Sequence, residues 1–189
     1  MKNRRQIIIS IAVLFGIIIL FFMVNFLARK DFKLTENQKN DLEIFYPDNH
    51  LDSISFYRGG LLSIGSTKVV CNSIYFNNEP SNDLLVHEVM HTWQSRNGCI
   101  KMIASSLFNQ FKSYLKYGER NQAYFYSIND NSSEFNVEQE ATLVQDFYIA
   151  AFSNKSSYFL FCEDCPNEID NETLIKFAGK SIEILKKYE

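Results

Sequence analysis

Apolar residues are concentrated at the N-terminal end of the chain. Residues 7–28 contain no charged side chain, and only Ser10 and Asn25 among them are strongly polar. A helix needs about 20 such residues to cross a bilayer, whereas a secretory signal peptide usually has a shorter apolar run before a small-residue cleavage site. The run ends in Phe26-Leu27-Ala28 without that site. It therefore predicts an uncleaved transmembrane anchor, with a cleaved signal peptide as the alternative.

The charges on either side of this segment bear on its orientation. Three basic residues precede it, and three follow it before residue 34. The positive-inside rule compares such flanks, and here they nearly balance. A short N-terminal tail before a single anchor usually stays inside the cell. We therefore expect a single-pass membrane protein whose remaining residues are exported, to the periplasm or to the cell exterior.

After the anchor, the pattern of apolar and polar residues first predicts strands. Residues 53–57 alternate between the two classes, as a half-buried strand does. The pair Gly59-Gly60 predicts a turn. Residues 61–77 are rich in branched and aromatic side chains, which predicts one or two further strands.

The rest of the chain has the longer period of helices. Thr35 and Gln38 fit a capping box that opens a short helix before Pro47. Four longer helical segments are predicted over residues 80–98, 100–116, 136–151 and 171–188. In the second of these segments, every fourth residue is apolar and predicts one buried stripe, formed by Ile103, Leu107, Phe111 and Leu115.

This order of elements indicates the fold class and the domain organisation. Strands followed by helices favour an α+β domain with a small β-sheet and several helices, preceded by one transmembrane helix. The chain divides into an N-terminal tail (1–6), a transmembrane anchor (7–28), a linker with a short helix (29–52) and the α+β domain (53–189). The net charge of −3 offers no basic excess, so a nucleic-acid partner is excluded.

The cysteines bear on the compartment. In an exported domain, disulfides are expected, and the four residues allow three pairings among Cys71, Cys99, Cys162 and Cys165. The last two form a C-x-x-C pair that also looks like half of a zinc ribbon, although its second half is missing. A thioredoxin-like redox motif is disfavoured because such a motif opens a helix, whereas Pro166 follows a short aromatic run here.

Two of the three histidines, His87 and His91, stand four residues apart in a predicted helix. Residues at this spacing lie on one face of a helix, so both imidazoles can bind one metal ion. Glu88 completes the pattern H-E-x-x-H and can act as a general base toward water that the metal activates. The motif predicts a Zn²⁺ site with hydrolytic chemistry. A helix with two histidines and no metal is the alternative.

A catalytic zinc site of this kind needs a third protein ligand. In metzincins it is a histidine six residues after the second one, but that position is Asn97, and Gln94 replaces the glycine of that motif. The remaining option is a carboxylate from the helix predicted over 136–151, where Glu138 and Glu140 are the candidates. They point to nearly opposite faces, so they cannot both bind the same ion, and helical periodicity prefers neither strongly.

Several stretches of the chain together resemble a group of bacterial zincins that are encoded near type VI secretion spike proteins. The same stretches are similar to the metallopeptidase-like core domain linked to extracellular contractile injection systems. The resemblance covers roughly residues 53–150 and is carried by residues 87–94, 123–126, 138–141 and 146–148. In that pattern H-E-x-x-H-x-W-Q is followed by a helix that opens with E-Q-x-A.

The resemblance implies a zincin-like, gluzincin-type fold with His87, His91 and Glu138 as zinc ligands and Glu88 as the base. It therefore favours Glu138 over Glu140. Many gluzincins place an aspartate four residues after the ligand glutamate to orient a ligand histidine, and Thr142 stands there in this chain. The anchor and the cysteines are additional to the similar region.

The resulting expectation is a bacterial, membrane-anchored zinc metallopeptidase that hydrolyses peptide bonds. Its partners would be a peptide or protein substrate, the membrane through residues 7–28 and, from the resemblance, secretion-system components. One alternative is a non-catalytic, membrane-tethered accessory or binding protein that retains a zincin fold. Another is an envelope protein without a metal.

Three further polar residues have two interpretations each. His50 lies in a Pro-Asp-Asn-His segment, which favours a surface position over a role as a ligand. Tyr124 and Tyr126 can donate a hydrogen bond to an oxyanion, as many zincins require, but packing in an aromatic core is the more ordinary role.

Overall fold

A computed structural model describes residues 2–152, 159, 161–166 and 169–189, and in this part of the chain seven α-helices accompany a four-stranded sheet. The α+β class and the small sheet predicted from the sequence are confirmed. In chain order, the elements are α1 (Lys2–Ala28), β1 (Arg29–Asp31), α2 (Glu36–Glu43), α3 (Asp48–Leu51), β2 (Ser55–Gly59), β3 (Lys68–Val70), β4 (Ser73–Phe76), α4 (Asn82–Gln94), α5 (Cys99–Tyr117), α6 (Val137–Phe152) and α7 (Asn171–Lys186).

The sheet is mixed, with the strand order β1-β2-β4-β3. Strands β1 and β3 pair antiparallel with their neighbours, whereas β2 and β4 run parallel. The central strand β4 buries Ile74 and Phe76 completely. Strand β3 therefore lies at one edge, and β1, formed by residues expected in a linker, lies at the other.

Helix α4 runs through the core. Every residue from Leu85 to Gln94 is buried. The helix packs against α2, α5 and α6 and against strands β3 and β4. At its C-terminal end, the indole nitrogen of Trp93 donates a hydrogen bond to the carbonyl oxygen of Leu185 in α7. Because this burial includes polar residues, each of them needs a partner inside the protein.

The N-terminal helix α1 contains a window, Ile9–Ala28, that is long and apolar enough to cross a membrane. Its side chains are mostly exposed, so it is not a core helix of the domain. The capping box predicted at Thr35 opens α2, with Gln38 as its partner. Strand β2 begins two residues later than predicted, and residues 61–63 form a 3₁₀ turn in place of a strand.

The predicted buried stripe on the second long helix is wrong. In α5, Leu107, Phe111 and Leu115 are exposed and Ile103 is only half-buried, while Met102 is buried. The apolar period makes the helix amphipathic, but its apolar face points away from the core. The apolar run predicted within residues 158–170 lies partly outside the described residues.

The cysteines are joined as Cys71–Cys99 and Cys162–Cys165. The first disulfide links the turn between β3 and β4 to the first residue of α5. The second closes a short loop beside Tyr126, whose backbone pairs with the backbone of Phe161 and Glu163. Of the three pairings that the sequence left open, the structure therefore contains the one that joins neighbours in sequence.

Candidate metal centre

Helix α4 brings His87, Glu88 and His91 to the same part of the core. Its N-cap is Ser81, and its helical spacing places the two imidazole centroids 4.9 Å apart. All three side chains are buried, and all three line one cleft. The local sequence explains this position, because apolar residues around the helix anchor it in the core while the i, i+4 histidines share one face.

Glu138, in the first turn of α6, reaches these histidines from the facing helix. Its Oε2 atom lies 3.3 Å from Nε2 of His91 and 3.8 Å from Nε2 of His87. One ligand atom from each residue lies within 4.8 Å of the others, so the group could hold a metal ion. The side chain of Asn136 caps this turn by accepting a hydrogen bond from the backbone N–H of Glu138, which fixes the backbone position of Glu138.

The donor set fits a small divalent cation. Two imidazole nitrogens and one carboxylate oxygen are a common ligand set of catalytic zinc, which leaves the fourth position open. Ligand atoms about 2.1 Å from a tetrahedral ion lie about 3.4 Å from each other. The distances from Oε2 of Glu138 to the Nε2 atoms of His91 and His87 are close to this value. The Glu138 carboxylate is only 2% exposed. A carboxylate buried to this degree requires positive charge or hydrogen bonds beside it.

The other carboxylate oxygen of Glu138 is held by α5. Oε1 accepts a hydrogen bond from the hydroxyl of Ser106 and another, 3.0 Å long, from Nε2 of Gln110. Both donors come from the same face of one helix. They turn the carboxylate so that Oε2 faces the histidines, which is how outer residues commonly orient a metal ligand.

His91 is oriented by Gln94. The Nε2 atom of Gln94 donates to the carbonyl oxygen of Val137 and to Glu140, both at 2.9 Å. Its Oε1 atom is therefore the acceptor facing Nδ1 of His91, 2.8 Å away. This assignment puts the proton of a neutral His91 on Nδ1 and leaves the Nε2 lone pair pointing toward Glu138 and His87.

Glu140 lies on the outer side of this arrangement and away from the two histidines. Its carboxylate accepts hydrogen bonds from Gln94, from the ammonium group of Lys187 and from the hydroxyl of Tyr188. The chain of contacts therefore runs from His91 through Gln94 and Glu140 to the C-terminal residues after α7. Of the two carboxylates that the sequence offered, Glu138 joins the histidines and Glu140 supports them.

The second histidine has less support. Nδ1 of His87 is buried and has no hydrogen-bond partner among the described residues. Thr142, which stands where many gluzincins have an aspartate, donates instead to the carbonyl oxygen of Glu138 in its own helix. Thr142 therefore supplies no carboxylate to either histidine. This is the structural consequence of the difference from gluzincins that the sequence shows at this position.

Electrostatics couple the carboxylate to the imidazoles. Burial alone would raise the pKa of Glu138, but His91 and His87 hold it well below its usual range. Burial would likewise lower the pKa of His91, but the Glu138 carboxylate outweighs this and raises the pKa to about 9. Burial raises the pKa of Glu88, against the opposing effect of the two histidines. Glu138 is thus favoured as an anion, and Glu88 as a group that binds protons more readily than usual.

The cleft above these residues has a volume of about 640 Å³. Edge strand β3 lines it with Lys68, Val69 and Val70, and α5 lines it with Ile103 and Leu107 among others. Apolar surface and a few polar groups around a recessed cluster are typical of a binding site.

The other sequence candidates occupy different places. Tyr124 lines the cleft, with its ring 6.0 Å from that of His87, and burial together with Glu138 raises its pKa. Tyr126 is a core residue, and its hydroxyl donates to Asp146. The surface position expected for His50 is wrong, because its ring is buried against Trp93.

His50 is also not part of the metal centre. Its Nε2 atom lies 2.9 Å from the hydroxyl oxygen of Thr92. The Thr92 hydroxyl already donates to the carbonyl oxygen of Val89, so it accepts from the Nε2–H group of a neutral His50. Burial first, and Arg96 second, lower the pKa of His50 to about 4.

The sequence did not indicate the supporting roles of Gln94, Ser106, Gln110 and Glu140, although Glu140 was a candidate ligand and Gln94 belongs to the motif that carries the resemblance. Gln94 lies three residues after His91, so the helical period alone would place it beside that ligand. The two α5 residues carry no such signal, because their role depends on how two helices pack.

Comparison of the chain with protein families, with curated proteins and with solved structures gave no match.

Proposed function

We propose that this chain is a membrane-anchored zinc metallopeptidase that hydrolyses peptide bonds in the cleft beside His87, His91 and Glu138. The observation that carries the proposal is the buried cluster of these three ligands with a fourth ionisable group, Glu88, in the same cleft. The α+β class agrees with the order of elements in the sequence, and Glu138 is the third ligand that the zincin resemblance favours. The proposal therefore rests on chemistry at the site and on the spacing of the motif.

Zn²⁺ held by the two imidazoles and the carboxylate would supply Lewis-acid activation of water and of a substrate carbonyl group. Glu88 is the residue suited to take a proton from the attacking water and to pass it to the leaving amine, because its raised pKa favours proton uptake. Tyr124 stays protonated and can donate a hydrogen bond to the oxyanion of the substrate.

The remaining features support a location outside the cytoplasm. Helix α1 is suited to serve as the anchor because it is long, apolar and unburied. The two disulfides favour an oxidising compartment, which is where a domain exported behind a single anchor would fold.

The test uses the full-length protein purified in detergent. Metal analysis should find about one zinc per chain, and wild type should cleave members of a broad peptide library. Glu88→Gln should keep the metal and slow cleavage by about 10²- to 10⁴-fold, because a general base is lost while the ligands remain.

A matched control is Glu79→Gln, since Glu79 lies just before α4 but is exposed, and its side chain pairs with Arg58 across the surface. It should cleave as wild type does. Full activity of Glu88→Gln would refute the role of that residue. Bound zinc without any cleavage by wild type would favour a non-catalytic accessory protein, and absence of a metal would refute both functions.

A further inference from the structure

The proposed anchor is joined to the domain without a flexible linker. Helix α1 ends at Ala28, and strand β1 begins at the next residue and pairs with β2. The guanidinium group of Arg29 lies over the rings of Phe26 and Tyr57, 4.7 and 3.9 Å from their centroids. It also donates to the hydroxyl of Tyr75, 3.1 Å away. The last turn of the anchor is therefore fixed to the sheet.

A second contact lies within the apolar window itself. Asn25 belongs to the window Ile9–Ala28, yet its side chain is buried, and its Oδ1 atom accepts a hydrogen bond from the backbone N–H of Leu62, 3.0 Å away. Asn25 is three residues before the end of the helix, which corresponds to about 4.5 Å along its axis. With Ile9–Ala28 as the membrane span, the 3₁₀ turn Leu61–Ser63 lies within about one helical turn of the end of that span.

The same turn forms part of the cleft. Leu62 lines it together with His87, His91 and Glu138. Leu62 thus contacts the end of α1 through its backbone N–H group and also lines the cleft of the candidate metal centre. The cleft therefore begins beside the end of α1, and the contacts of Arg29 and Asn25 fix that end to the domain.

The composition of the surface around the cleft agrees with that position. Ile64, which follows the turn, is 69% exposed. Helix α5 contributes Leu107 to the cleft and exposes further apolar side chains beside basic ones, at Phe108, Phe111, Leu115, Lys101, Lys112 and Lys116. Apolar and basic residues on one amphipathic helix are typical of helices that lie at a membrane interface.

We infer that the cleft opens at the membrane surface and that its substrate is the juxtamembrane segment of a polypeptide inserted in the same membrane. This inference rests on the proposed anchor and on the proposed hydrolysis. A polypeptide that spans the membrane delivers the residues next to its span at the height of Leu62. A freely diffusing protein has to bring its scissile bond to the same narrow layer.

The position of the cleft is tested without any catalysis. The full-length protein is placed in lipid nanodiscs, and a single fluorophore is attached at Ile64→Cys, which is feasible because the four native cysteines are paired. The matched control is Ile175→Cys in α7, which is similarly exposed at 71%. Quencher-bearing lipids should reduce the fluorescence at position 64 and leave that at position 175 unchanged. Equal fluorescence changes at the two positions would overturn the inference.

The substrate class is tested with a library of random segments in the same nanodiscs. Each segment is attached to a transmembrane helix either directly or through a long Gly/Ser linker, and it is also supplied as a free peptide. Direct attachment should increase cleavage at least tenfold over both other arrangements, with Glu88→Gln as the inactive control. Equal cleavage in all three arrangements would overturn the inference. Absence of cleavage in every arrangement would overturn the peptidase proposal, while the quenching result still reports where the cleft lies.

Discussion

At the scale of single residues, the two acidic side chains in the first turn of α6 have separate roles. Glu138 faces His87 and His91, whereas Glu140 accepts hydrogen bonds from Gln94, Lys187 and Tyr188. We expect Glu138→Ala to lose the metal, because one of three ligands is removed. Glu140→Ala should bind it more weakly than wild type and should unfold more easily, because the hydrogen bonds that its buried carboxylate accepts are lost, at a cost of about 1.5–3 kcal/mol.

Chelator competition and urea unfolding, each carried out on both variants, measure these two effects. The assignment of Glu138 as the ligand is wrong if Glu140→Ala loses the metal while Glu138→Ala binds it as wild type does.

Gln94 provides a second prediction at this scale, because it is the residue that orients His91. Gln94→Leu removes the acceptor for Nδ1 of His91 and the donor to Glu140. Loss of such an outer partner typically reduces metal affinity by about 10- to 100-fold. The control is Gln145→Leu, since Gln145 lies on α6 but its side chain donates to Asp83, at the other end of α4. A similar loss of affinity in both variants would show that Gln94 acts through general stability.

The sequence indicated the ligands better than their supports. The i, i+4 spacing of His87 and His91 is a local property of one helix, so it could be predicted without knowing the fold. The choice between Glu138 and Glu140 depends on the rotation of α6 against α4, and the apolar period of α6 alone does not determine it. His50 shows the same limit, because its burial depends on Thr92 and Trp93, which are remote in sequence.

At the scale of elements, the sequence predicted most of the helices and the turn at Gly59-Gly60, where β2 ends. The failure at α5 has a physical reason. An apolar residue at every fourth position shows that a helix has an apolar face. It does not show whether protein or membrane covers that face. Leu107, at 62% exposure, has the same signal in the sequence that a core residue would have.

The junction between α1 and the sheet depends on Gly60, which supplies a third prediction. Gly60 has a φ of +87°, and a Cβ atom there would lie 2.7 Å from Oδ1 of Asn25. Gly65 has a similar φ of +83°, but a Cβ atom there would meet nothing within 4 Å. Both alanine variants carry the strain of a left-handed residue, about 1–2 kcal/mol, but only Gly60→Ala also forces the Asn25 side chain in α1 to move.

The expected result is a larger fall in melting temperature for Gly60→Ala than for Gly65→Ala, measured on the full-length protein in detergent. Gly60→Ala should also be cut faster by protease at the junction of α1 and β1, because the contact of Leu62 with Asn25 is lost. Equal stability and equal cleavage of the two variants would show that α1 is not held by this contact.

At the scale of the whole molecule, the balance of buried ionisable groups determines how stability depends on pH. Burial and, to a smaller extent, the nearby charge of Asp83 raise the pKa of Asp146 to about 7, although the hydrogen bond that Tyr126 donates opposes the rise. The unfolded chain ionises Asp146 near its ordinary pKa of 3.8, so the folded state binds more protons between the two values. Ionisable Asp146 therefore lowers the free energy of unfolding little below pH 3.8, and progressively more as the pH rises toward 7.

This difference predicts the behaviour of Asp146→Asn, whose side-chain oxygen can still accept from Tyr126 but cannot ionise. The variant should gain stability relative to wild type as the pH rises from 5 to 7, by at most about 1.4 kcal/mol per pH unit, and the gain should level off above that range. Urea unfolding of full-length protein at pH 5, 6, 7 and 8 measures it, with the exposed Asp52→Asn as the control. A difference between variant and wild type that stays constant across these four pH values would show that Asp146 is already ionised in the folded protein at pH 5.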